Sequence, residues 1–283
     1  MSQLIRFCRD WSIFCREGLA PALLRQHHLL YPIIIFSIFK FQHSDANILS
    51  MIEKYVALLN DVKNNNVDIT EFHYKKAIDA EGYEYDQHGN KRHQLLVGLQ
   101  FDYQPSDEKL IRQLLLQEIT MHRNAPMQGL SSSMQLNAHL LSRYKNKQNV
   151  WLFVMAKSAN FDTYCGLDYQ YLVSAGITAT YDYVAKTSSY LKKAFYDIVG
   201  ISADECHILP EDLETWEGYR QAEDRRPPAT IENEIFLAQE LGELAIFREK
   251  FFQWKASIVS WTEGNRNLLD YFEQYLQHME GKI

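Results

Sequence analysis

The chain has 283 residues, of which 46% are hydrophobic and 23% are charged, and its formal net charge is −7. This composition provides enough apolar material for a buried core and argues against an intrinsically disordered chain. There are only 12 Gly and 7 Pro, beside 17 Tyr and 15 Phe. That balance argues against a turn-rich all-β protein and predicts long, well-packed helices.

The first segment predicts a cytoplasmic protein, because charged residues interrupt its apolar positions and a signal peptide needs an uninterrupted apolar stretch. The longest apolar run, Leu29 to Phe39, has only 11 residues, whereas a membrane-spanning helix needs about 20. The four cysteines show no CxxC spacing and are typical of reduced core positions. We therefore expect a cytoplasmic protein with no membrane partner.

The N-terminal region, residues 1–104, predicts helices followed by a small sheet. Apolar residues at helical spacing predict a first helix over 2–19, and a second helix follows Ser44 and Asp45, which suit an N-cap and an acidic first turn. Later in this region, alternate residues of "LLVGLQFDY" are apolar and follow a Gly-Asn turn. This period of two is typical of a strand, so the sequence predicts an inserted β-hairpin at about 81–103.

Residues 105–283 predict amphipathic helices joined by short connections, which is typical of antiparallel neighbours. The pattern AxxLGxxxxFxxxF is formed by Ala238, Leu241, Gly242, Phe247 and Phe251. It resembles, over about one repeat, the turn between the two helices of a tetratricopeptide-type repeat, although Phe247 stands where that family prefers alanine. We therefore predict a mainly α fold of stacked antiparallel helical hairpins, irregular and tetratricopeptide-like in the C-terminal half, with both regions packed as one unit.

Acidic residues concentrate between Asp204 and Glu243, where twelve carboxylates accompany three arginines; the segment has a net charge of −9 and the rest of the chain +2. Such a segment repels phosphate backbones and attracts a basic protein surface. We therefore expect a protein partner and no nucleic acid. A solvated face that only keeps the protein soluble is the alternative. The residues predicted to bind the partner are Asp204, Glu205, Glu211, Asp212, Glu214, Glu217, Glu223 and Asp224.

The sequence contains no GxGxxG, GxxxxGK[ST], GxSxG, HExxH or CxxC motif, which are the usual signatures of nucleotide, hydrolase and zinc sites. Glu118 and His122 lie four residues apart on a predicted helix and could present a metal-binding pair on one face. His139 on the next helix could join them. A structural metal site needs about four ligands, so an ordinary polar pair is the alternative, and we expect neither metal nor cofactor.

The segment "AKSANFDTYCGLD" concentrates polar residues at the end of an apolar helix. Its candidate residues are Lys157, Asn160, Asp162, Cys165 and Asp168. On one interpretation they fix a helix–loop–helix junction, with Asp168 capping the following helix. On the other they line a pocket in which Cys165 is a nucleophile or Asp162 a base; a nucleophilic cysteine requires a histidine or a helix N-terminus beside it in space.

The acidic, helical and motif-poor character of the chain resembles that of immunity proteins, which neutralise a bacterial toxin by covering its active site. The stretch "YDQHGN", Tyr85 to Asn90, resembles the YDxxGN core of the repeats in Rhs-type bacterial toxins. These resemblances imply a non-enzymatic immunity protein of a polymorphic-toxin system (Rhs or type VI secretion), whose partner is a basic toxin domain encoded nearby. The alternatives are a metal-dependent or cysteine-dependent enzyme that uses residues 118–168, and a helical-repeat scaffold or adaptor.

Overall fold

The computed structural model describes residues 46–79, 82, 84–124, 129–223 and 230–280. The predicted first helix, the longest apolar run and the predicted cap at Ser44 lie outside these residues.

The described chain is mainly α-helical and contains one small two-stranded sheet, which confirms the predicted fold class. Its helices and strands, in chain order, are α1 (Ala46–Lys63), β1 (Lys76–Ile78), β2 (Glu84–Asp86), α2 (Gly89–Phe101), α3 (Glu108–Asn124), α4 (Ser132–Ser142), α5 (Val150–Lys157), α6 (Phe161–Gly166), α7 (Ile177–Lys186), α8 (Lys192–Val199), α9 (Pro210–Glu223), α10 (Ile231–Glu240), α11 (Leu244–Ser257) and α12 (Glu263–Glu280). In the part of the chain that the structure describes, no helix is both long enough and apolar enough to cross a membrane.

The β-hairpin begins at Lys76, before the predicted range of 81–103, and ends at Asp86, before the alternating apolar residues. Strands β1 and β2 pair antiparallel, with Lys76 opposite Asp86. The prediction of strand structure over the remainder of 81–103 is wrong, because helix α2 begins at Gly89 and runs to Phe101. "YDQHGN" therefore spans the end of β2, a turn and the start of α2, so it connects a strand to a helix.

Helix α2 gives an ambiguous apolar pattern because most of its sides are buried. Leu95, Leu96 and Val97 are all buried, although successive residues of a helix point about 100° apart around its axis. Helix α1 packs so closely on α2 that a Cβ added to Gly98 would lie 2.4 Å from the carbonyl oxygen of Tyr55. A helix without a polar face shows no helical period in its sequence, so the apolar alternation alone could not identify it.

One large hydrophobic core joins helices α1 to α5 and α7 to α9 and also includes the end of α10. Its completely buried members include Tyr55 of α1, Leu115 of α3, Val154 of α5, Phe195 of α8 and Leu241 just after α10. A second, mainly aromatic cluster lies between α10, α11 and α12. The C-terminal helices thus have a core of their own beside the main one.

Helices α10 and α11 form a helical hairpin, and its turn contains Leu241 and Gly242, as the tetratricopeptide-like pattern predicts. Gly242 has a φ of +71°, which glycine adopts without strain. The turn is fastened to the N-terminal helices, because Tyr55 donates a hydrogen bond of 2.6 Å to Glu243 and Gln94 donates one of 2.6 Å to the Leu241 carbonyl. Burial and the Glu243 carboxylate raise the pKa of Tyr55, which keeps this donor protonated.

Candidate functional site

The predicted acidic residues lie in one continuous stretch formed by loop 200–209 and helix α9. Those that are exposed to solvent are Asp204, Glu205, Glu211, Asp212 and Glu214. Glu217 is half-buried and forms an ion pair with Lys145, while Asp224 and the side chain of Glu223 lie outside the described residues. We call the exposed side chains of loop 200–209 and of α9 the acidic surface.

Loop 200–209 is a compact structure, although it contains no helix. Its two ends meet, because the His207 amide donates a 2.8 Å hydrogen bond to the Val199 carbonyl. Gly200, at φ +109°, lets the chain turn so tightly that a Cβ there would lie 2.2 Å from the Glu205 carbonyl oxygen. The Tyr181 hydroxyl of α7 donates to the carbonyls of both Val199 and Gly200, at 3.1 and 2.9 Å. The loop therefore presents its carboxylates from a fixed backbone.

Three large apolar side chains project into solvent within the acidic surface. Ile201, Leu209 and Tyr219 are 69%, 52% and 68% exposed. They were not among the residues predicted to bind a partner, because that prediction rested on the charge of this segment alone. Apolar side chains surrounded by charged ones are typical of a protein-binding surface.

A shallow groove of about 350 Å³ adjoins the acidic surface, between the start of α7 and helix α9. It is lined by Gly176, Ile177, Thr178, Pro210, Leu213, Glu214 and Glu217. Its walls combine apolar atoms with the carboxylates of Glu214 and Glu217, and Glu217 is already paired with Lys145.

Helix α9 is attached to the protein by few contacts. Among its described side chains, Leu213 is the only one that is fully buried. Asp168 stands at the N-cap position of the helical turn Tyr169–Val173, as predicted, but its carboxylate makes no capping hydrogen bond. It accepts instead a 2.8 Å hydrogen bond from the Trp216 indole and forms an ion pair with Arg220, both on α9. Asp168 lies 48 residues before Trp216 in the chain, so local sequence could not indicate this role.

The metal candidates Glu118 and His122 belong to a buried polar cluster at the centre of the N-terminal half. Glu118 is completely buried and accepts a 2.7 Å hydrogen bond from the Arg92 guanidinium of α2. Arg92, also completely buried, forms a second ion pair with Asp86 of β2 at 2.5 Å. Arg92 was not among the predicted site residues, because a charged side chain is usually solvated. The cluster links the β-hairpin to α2 and α3.

Ser131 connects Glu118 to His122 on the other side of this cluster. Its hydroxyl caps α4 by accepting from the Met134 amide, donates to Glu118 at 3.2 Å and lies 3.0 Å from Nε2 of His122. Ser133 also donates to Glu118, at 2.8 Å. Burial lowers the pKa of His122, and Arg92 adds to that effect, against the opposing influence of Glu118 and Asp162.

His139 is buried on α4, but the structure does not assemble the three candidates into a ligand set. Within the described ranges, no group of three or more His, Cys, Asp and Glu side chains is placed to hold a metal ion. The carboxylate of Glu118 is instead surrounded by the donors of Arg92 and two serines.

The residues of the predicted junction make contacts in two parts of the structure, one around α6 and one at α9. Asn160 caps α6 in a reciprocal pair with Thr163 and donates a 2.9 Å hydrogen bond to the His122 carbonyl, so it joins α6 to the buried cluster. Asp162, on α6, accepts from the Gly129 amide. Lys157 is buried and donates to the Leu167 carbonyl.

Cys165 is exposed, so the prediction of a core position is wrong for this cysteine. Cys165 lies on the solvent side of the short helix α6, whereas Thr163 of that helix is buried. The structure thus gives Lys157, Asn160 and Asp162 contacts that hold the junction together, and directs Asp168 to α9.

Comparison of the chain with protein families, with curated proteins and with solved structures found no match. The residues and their geometry are therefore the basis for a functional assignment.

Proposed function

We propose that the protein is a cytoplasmic binding protein that recognises a basic protein partner through the acidic surface, and that it acts as an immunity protein against a bacterial toxin. The observation that carries this proposal is the placement of exposed Ile201, Leu209 and Tyr219 among exposed carboxylates. The proposed partner, a toxin domain encoded nearby, comes from the resemblance of the chain in overall character to immunity proteins.

The acidic surface has the two components that a protein-binding site uses. Buried apolar and aromatic side chains supply most of the binding free energy at a typical interface, and tyrosine is enriched among the strongest contributors. The surrounding charges accelerate association and select partners of opposite charge. Five exposed carboxylates favour a basic partner such as a nuclease domain, whose own nucleic-acid-binding surface is positive.

The rigidity of loop 200–209 also supports a binding role. Binding to a flexible loop would cost conformational entropy, since each ordered residue loses about 1–2 kcal/mol of backbone freedom. Here Tyr181 and the Val199 carbonyl fix the loop before any partner arrives. Exposed Leu209 then stands at its end, next to the first turn of α9.

The direct test is co-purification with the product of the adjacent gene, followed by affinity measurement on two matched variants. Tyr219→Ala should weaken the complex by at least about tenfold, since interface tyrosines commonly contribute more than 1–2 kcal/mol. Tyr190→Ala is the control, because Tyr190 is 85% exposed and precedes α8, at the opposite end from Gly200.

Equal affinities of the two variants would refute the acidic surface as the binding site. Failure of the protein to protect cells that express the adjacent gene would refute the immunity role.

A further inference from the structure

Helix α9 carries much of the acidic surface, yet it is held mainly by polar contacts on its inner side. Trp216 and Arg220 lie one turn apart on that side, and both bind the carboxylate of Asp168. The ion pair is shielded, with 18% of the Arg220 side chain and 29% of the Asp168 side chain exposed. One carboxylate thus fixes two successive turns of the helix.

Aromatic packing surrounds this ion pair and makes its geometry specific. The ring of Tyr171 is 1% exposed and meets the Trp216 ring edge-on, with 4.9 Å between centroids. The Arg220 guanidinium lies 6.0 Å from the centroid of the same Tyr171 ring. Tyr171 in turn stacks on Phe153 of α5, so Asp168 and one aromatic stack attach α9 to the main core in addition to buried Leu213 and the ion pair of Glu217 with Lys145.

The outer side of α9 depends on this attachment. Tyr219 is adjacent to Arg220 in the chain, and Thr215 is adjacent to Trp216, so rotation of the helix would redirect both exposed residues. Leu213 is the only fully buried side chain among those described on α9, so apolar burial alone gives the helix little resistance to rotation or local opening.

We infer that Asp168 is the positioning residue of the binding site: it holds α9 in the orientation that presents Tyr219 and the α9 carboxylates to the partner. This inference rests on the proposed function for its binding consequence. Preorganisation raises affinity because the partner does not have to order the helix, and apparent affinity scales with the fraction of molecules in the competent state.

The test is hydrogen exchange of the free, full-length protein, followed by partner affinity. Asp168→Ala should accelerate exchange of the amides in 210–223 by about tenfold or more, since hydrogen bonds to charged groups are among the stronger ones, while α1–α5 keep wild-type exchange. It should weaken partner binding by a similar factor, and the bound partner should restore slow exchange in α9. Asp168→Glu, which keeps a carboxylate, should recover part of both effects.

Asp182→Ala is the matched control, because Asp182 is an exposed aspartate on α7. Wild-type exchange of 210–223 in Asp168→Ala would overturn the inference, as would exchange that rises equally in every helix. Faster exchange in α9 with unchanged affinity would also overturn it. If the wild-type protein binds no partner, the proposed function fails, and the exchange result alone decides whether Asp168 fixes the helix.

Discussion

Replacement of Gly98 by alanine is expected to destabilise the protein, although alanine is the better helix former. In a helix interior, alanine is intrinsically more favourable than glycine by about 0.5–1 kcal/mol. Against this gain, the new Cβ would lie 2.4 Å from the Tyr55 carbonyl oxygen and 3.0 Å from its carbon, whereas ordinary contact begins near 3.4 Å. Helices α1 and α2 would have to separate by about 1 Å in a close-packed core.

Overpacking of this kind typically costs about 1–3 kcal/mol, and here the obstacle is backbone, which cannot rotate away. We therefore expect Gly98→Ala to lower the free energy of unfolding by a net amount of about 1–2 kcal/mol. The assay is urea unfolding followed by circular dichroism, with the midpoint compared at constant slope.

Gly218→Ala provides the matched control, because Gly218 also lies in a helix and a Cβ there would meet nothing within 4 Å. This variant should be stabilised by about 0.5–1 kcal/mol, or unchanged if α9 opens independently of the core. Gly98→Ala with wild-type or greater stability would show that the close contact between α1 and α2 is not as described.

Three further predictions concern buried polar contacts. Glu118→Ala should cost about 3–5 kcal/mol in urea unfolding, because it leaves Arg92 buried without one of its two carboxylates; a loss below about 1 kcal/mol would argue against a buried pair. The folded-state pKa of His122 lies below its ordinary 6.5. The stabilisation that the neutral imidazole contributes should therefore be complete above pH 6.5. It should fall as the pH drops from 6.5 toward the folded pKa, by up to about 1.4 kcal/mol per pH unit. Unfolding of wild type and His122→Gln at pH 7.5 and 5.5 checks this, and an equal difference at both pH values would contradict it. Tyr55→Phe should lower the free energy of unfolding by about 1.5–3 kcal/mol, because it removes the hydrogen bond to Glu243. It should also increase proteolysis near the α10–α11 turn. Unchanged stability and proteolysis would show that the turn is held by other contacts.

Much of the fold could be predicted from the sequence, because most helices carry an apolar stripe on one side and polar residues on the other. Helix α3 is an example, with Leu114, Leu115 and Ile119 buried and Lys109 and Gln113 exposed. Helix α2 could not be predicted in this way, because its neighbours bury it on most sides and no polar face marks the period. Its assignment depends on contact with α1, which is tertiary information.

The candidate site shows a similar division between local and long-range information. The acidic segment was evident from composition, and the cap made by Asn160 follows from local spacing. The role of Asp168 required knowledge that α9 folds back onto it. Likewise, Arg92 and Glu118 are 26 residues apart, and only the packing of α2 on α3 turns them into a buried ion pair.

The measurement that tests the proposed function most directly is the affinity of the protein for the product of the adjacent gene after charge reversal. Asp204→Lys/Glu205→Lys changes two exposed carboxylates of loop 200–209, and Glu53→Lys/Asp270→Lys makes the same change in net charge at exposed positions on α1 and α12. We expect the wild-type protein to form a complex at low salt. The loop variant should lower the affinity by at least about tenfold, chiefly through slower association, whereas the control variant should keep the affinity within about twofold of wild type. Equal weakening by both variants, or no complex with the wild-type protein, would contradict recognition through the acidic surface.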